Sequence, residues 1–104
     1  MKITIEIAKI TEVGSGASQN SGLPWKRLEV VGKKPGSRIQ YVVFNVLDAS
    51  EKFGRIERMN MHQGDIKTMV FSFGAHEYQG KWYNSLDAYD CTPGTVEMLN
   101  NPEQ

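Results

Sequence analysis

The stretch IKTMVFSFGAHEYQGKWYNSLDAYD, residues 66–90, decides the fold. Gln79-Gly80 lies at its middle, and glycine supplies the positive φ that a two-residue hairpin turn demands. On either side, Ile66 to Tyr78 and Lys81 to Asp90 are rich in β-branched and aromatic residues, which predicts two antiparallel strands. With only Gln79 and Gly80 in the loop, the register follows: Tyr78 faces Lys81, His76 faces Tyr83, Phe73 faces Leu86 and Phe71 faces Ala88. Phe71, Phe73, Leu86 and Ala88 then share a core face. Tyr78, His76, Tyr83 and Tyr89 share the opposite face with Lys81, and Trp82 has core parity but stands beside the tip.

Outward from this hairpin, the rest of the chain supplies three more strands and a helix. Lys2 to Val13 alternates polar residues with Ile3, Ile5 and Ile7, and Ala8-Lys9-Ile10 breaks the phase, which predicts a strand with a bulge. Gly14 to Pro24, dominated by turn formers, reads as a mobile loop. Trp25 to Val31 and Arg38 to Leu47 are strands two and three, joined by a loop from Gly32 to Ser37, with Val30, Val42, Phe44 and Val46 in the core. Asp48 and Glu51 resemble a capping box, and Phe53, Ile56 and Met59 recur at helical spacing, so a helix is expected from Ser50 to Met61, stopped by Gly64-Asp65. Thr92 to Gln104, poor in apolar residues, is expected to be a flexible C-terminal tail beyond a domain spanning 1–91.

Three strands, a short helix and two strands is the element order of the OB-fold, a mainly β, five-stranded Greek-key barrel with its helix between strands three and four. The segments Gly22-Leu-Pro-Trp-Lys-Arg27, Gly64-Asp65, Glu77-Tyr-Gln-Gly-Lys-Trp-Tyr83 and Ala88 resemble a family of small bacterial and phage OB-fold domains related to single-stranded-DNA-binding proteins. That resemblance implies an OB barrel, binding of single-stranded DNA, and self-association. Gln79 departs from it, standing where the family tends to have asparagine.

Twelve Lys and Arg balance twelve Asp and Glu, so the formal net charge is zero and bulk electrostatics gives no drive toward polyanions. The charge is segregated instead. Lys26, Arg27, Lys33, Lys34 and Arg38 stand against Glu29 alone, whereas Asp87, Asp90, Glu97 and Glu103 have no Lys or Arg among them. Single strands are bound by stacking bases on aromatic rings over a basic groove. The candidate nucleic-acid-binding residues are therefore Trp25, Lys26, Arg27, Lys33, Lys34, Arg38, Tyr41, His76, Tyr78, Lys81, Trp82 and Tyr83. Competing readings exist for several. Trp25 can plug one end of the barrel, Trp82 can pack a subunit interface, and exposed tyrosines form ordinary cross-strand pairs.

No enzymatic constellation emerges. His62 and His76 are the only histidines, Cys91 has no neighbouring base, and no glycine-rich stretch has the phosphate-loop pattern, so neither catalysis nor a cofactor or metal is expected. With one cysteine and no bilayer-length apolar run, a reducing, cytoplasmic setting is expected. The function expected is non-specific single-stranded DNA binding by a homo-oligomer in replication, recombination or repair. Its rival is an OB-fold assembly module that binds no nucleic acid, and RNA is not separable from DNA as a partner.

Overall fold

A computed structural model describes residues 1–36, 38–49 and 53–101. Five strands, β1 (Lys2–Ala17), β2 (Pro24–Lys34), β3 (Gln40–Ala49), β4 (Ile66–Tyr78) and β5 (Lys81–Pro93), form one sheet that closes on itself in the order β1-β2-β3-β5-β4. All neighbours are antiparallel except β3 and β5, which run parallel and meet through the register pair Asn45–Asp87. A short helix, α1 (Arg55–Met59), lies between β3 and β4, and a second, α2 (Val96–Leu99), follows β5.

Alternation decides which side chains enter the ring. Ile5, Ile7, Leu28, Val30, Phe44, Val46, Met69, Phe71 and Ala88 fill it, with Met59 of α1 against them. The rings of Phe44 and Phe71 meet edge to face at 5.4 Å, the arrangement that aromatic quadrupoles favour. A buried hydroxyl pair, Thr4 and Thr68 at 2.7 Å, ties β1 to β4. The bulge expected near Ala8 is present: the β1–β2 register shifts between Ile7 and Lys9, and again between Glu12 and Gly14.

Three expectations need correction. First, the glycine-rich stretch after Val13 is not a loop until Ser18, because Gly14 to Ala17 pair with Pro24 to Arg27. The Trp25 indole explains this. A Cβ at Gly14 would stand 3.1 Å from its ring carbons, and one at Gly16 3.3 Å from its Nε1, so the bare strand is a bed for the ring. Secondly, α1 begins at Arg55 rather than Ser50; Ser50 and Glu51, half of the expected capping box, lie outside the described residues. Asp48 still acts as a cap, reaching from the end of β3. Both of its oxygens accept from the Gly54 N–H at 3.0 Å, and Oδ2 also accepts from Ile56 at 2.9 Å. Burial pushes the Asp48 carboxyl up, but the amides of Ile56, Gly54 and Arg55 and the Arg55 guanidinium outweigh it and hold it below the usual carboxylate range.

Thirdly, Thr92 does not begin a flexible tail. Thr92 and Pro93 pair with Thr68 and Lys67, Thr95 caps α2 by accepting from the Met98 N–H, and Leu99 is buried. Pro102 to Gln104 lie outside the described residues.

Candidate nucleic-acid interface

The β4–β5 hairpin outgrows the ring. β1 pairs with β4 only from Ile66 to Val70, and β3 meets β5 only at Asp87, so beyond Ser72 and Asp87 the two strands pair only with each other. From Ser72 to Asp87 every residue except Gly74, Ser85 and Leu86 is exposed. The molecule measures 47 Å along its longest axis and 21 Å along its shortest. The arm's tip takes positive φ at both loop residues, Gln79 at 52° and Gly80 at 80°, as a primed turn requires. The register is the one the sequence implies: Tyr78–Lys81, His76–Tyr83, Phe73–Leu86 and Phe71–Ala88.

Parity, however, does not equal burial. Phe73 shares the face of Phe71 but is 67% exposed, because it stands past the point where β3 and β1 leave the arm. Its assignment to the core is therefore corrected, and Leu86 is only partly buried.

Two clefts form where β3 and the arm diverge. The smaller, about 510 Å³, has apolar walls from Val43, Phe73 and Leu86. The larger, about 770 Å³, is walled by Arg27, Asn45, Leu47 and Arg55 on one side and by His76, Asp87 and Tyr89 on the other. His76 and Tyr83 stack across the arm, centroids 5.7 Å apart and planes 23° from parallel. The cleft thus sets two guanidinium groups opposite an imidazole backed by a phenol. Such an arrangement can hold phosphates and stack a flat ring.

The twelve candidates separate into groups. Arg27 and His76 line the larger cleft. Tyr83 backs His76, while Tyr78, Lys81 and Trp82 stand exposed at the arm's tip, Trp82 at 71%. Tyr41 is exposed on β3, opposite Lys33 on β2, and Arg38 is exposed between those strands. Lys26 pairs with Glu12 at 3.3 Å, and the indole of Trp25 lies over β1.

The loop placement expected for Lys33 and Lys34 is corrected: both belong to β2. Lys34 is buried and donates to the Met98 carbonyl of α2, which takes it off the open surface, and burial lowers its ammonium's pKa. Arg55, Asn45, Leu47 and Tyr89 also line the cleft, none of them among the twelve candidates. Tyr89 carried a readable signal, its place on the outer face with Tyr83 and Lys81, and the Arg55 guanidinium, at the start of α1, donates to the Leu47 carbonyl at 3.2 Å.

Elsewhere, the Cys91 thiol donates to the Met59 carbonyl at 3.3 Å. Burial, with Asp90 and Asp65 nearby, raises its pKa despite the opposing charge of Lys67. Among the described residues no cluster of three or more His, Cys, Asp or Glu has the arrangement to hold a metal ion, and no helix is long and apolar enough to cross a membrane. No protein-family model and no curated protein matches the chain.

Proposed function

We propose that this chain is an OB-fold protein that binds single-stranded DNA without strict sequence preference, as a cytoplasmic homo-oligomer acting in replication, recombination or repair. The ring order, with β3 beside β5 and a helix between β3 and β4, supports the OB reading. OB-folds bind oligonucleotides on the strand two to three face and its flanking loops, which here carry Arg27, Asn45, Leu47 and the arm. The observation that carries the binding function is the larger cleft, where Arg27 and Arg55 face His76 and Tyr89. Binding comes from phosphate attraction by the guanidinium groups and stacking on the rings, at about 1–3 kcal/mol per base.

The test is a fluorescence-anisotropy titration of labelled oligo-dT with the protein at several salt concentrations. A response that weakens as salt rises supports the reading, and no response at low salt overturns it.

The rival, an assembly module, is favoured by one observation. Val43, Phe73 and Trp82 are exposed apolar groups on or beside an arm that is itself largely unpacked. Size-exclusion chromatography separates the two readings: a stable oligomer without affinity for oligo-dT selects the rival.

A further inference from the structure

Asp87 is an odd resident for a phosphate-binding cleft. It sits on β5 at the point where β3 closes the ring, opposite Asn45, and it lines the larger cleft with Arg27 and Arg55. Among the described residues it forms no ion pair with either arginine; the ion pairs found are Lys26–Glu12 and His62–Asp65. Its carboxylate is nonetheless held in place. Ser85 Oγ donates to Oδ2 at 3.2 Å, and the carboxylate lies over the bare backbone of Gly74, where a Cβ would come within 2.6 Å of Oδ2 and 2.9 Å of Ser85 Oγ. An acceptor in the cleft wall repels phosphate, so it calls for a ligand group that donates.

We infer that Asp87 reads the Watson–Crick edge of a base seated in this cleft, favouring guanine over thymine; the inference rests on the single-strand reading above. Guanine presents N1–H and N2–H side by side, matching the two oxygens of a carboxylate. Cytosine and adenine each offer one exocyclic amine, a weaker match, as when carboxylates accept from the cytosine amine. Thymine offers a single N3–H between two carbonyl oxygens, whose lone pairs oppose the carboxylate. Arg27 and Arg55 then hold the flanking phosphates, and His76 supplies a stacking surface. The bias belongs to one seat and leaves the rest of the strand unread.

Fluorescence anisotropy with labelled dT12, and with the same strand carrying two central guanines, tests this at one low salt concentration. The guanine-bearing strand binds about fivefold tighter or more, the lower end of what a bidentate base contact contributes. Asp87→Asn, with folding verified by circular dichroism, brings the two affinities within about twofold and tightens dT12, because a negative charge leaves the cleft. Gly74→Ala, which displaces the carboxylate, also erodes the preference. Equal affinity of the native protein for both strands overturns the inference and leaves single-strand binding standing. A guanine preference that survives in Asp87→Asn removes Asp87 from the role. Failure of both strands to bind overturns the function and the inference together.

Discussion

The Nζ of Lys34 donates to the carbonyl of Met98 at 3.2 Å, so the last helix is tied to the far end of β2. The cation sits at the carbonyl end of α2, where a helix accumulates partial negative charge. Leu99 is the only buried residue of that helix. Leu99→Ala is expected to cost about 2 kcal/mol, the low end for a buried leucine because so short a helix can shift to close the gap. Urea unfolding followed by circular dichroism measures it, and an unchanged midpoint would show that α2 contributes nothing to the ring.

Asp48→Asn tests the remote cap of α1. Replacing an acceptor that serves Gly54 and Ile56 is expected to cost about 2 kcal/mol at neutral pH. The pH dependence carries a sign. Because the folded carboxyl is held below its ordinary value, the unfolded chain binds the proton more tightly. The stabilisation is complete above about pH 4 and is lost as pH falls through the lower folded value. Thermal melts between pH 2 and 7 should therefore show a steeper acid limb for the native protein than for the variant.

At the arm's tip, Gln79 occupies a left-handed backbone position that asparagine tolerates better. Gln79→Asn should protect the arm's amides from hydrogen exchange by about 0.5 kcal/mol, leaving exchange in the ring unaltered. Equal protection in both proteins would mean that turn strain is not what limits the arm.

The proposed binding surface divides into charge and stacking. Arg27→Ala and Arg55→Ala should each lower the slope of log affinity against log salt by about 1. Tyr83→Ala should weaken oligo-dT binding by about 1–3 kcal/mol with little change in that slope. Trp82→Ala, at 71% exposure, should alter stability by less than about 0.5 kcal/mol. An elution shift in the Trp82 variant would instead assign that residue to a subunit contact.

Local pattern made much of this legible. The Gln79-Gly80 turn and the alternation on either side define the arm's register, and the isoleucines of β1 announce its inward face. What escaped depends on contacts between distant residues. Gly14 and Gly16 read as loop formers until Trp25 is laid across them. Phe73 has the parity of a core residue, but parity cannot tell where the flanking strands stop. Lys34 looks like a surface cation until α2 folds over it. The cleft is the extreme case, since Arg27, Asn45, Arg55 and Asp87 come together only because β3 closes on β5.

That closure has a topological consequence. The antiparallel ladders run from β3 through β2 and β1 to β4 and β5, and the parallel approach of β3 to β5, with its register pair Asn45–Asp87, closes the ring. The larger cleft lies beside this closure, with Asn45 and Asp87 in its walls. On the proposed single-strand reading, seating in a surface cleft requires no free end, so a covalently closed circular single strand should load as readily as a linear one.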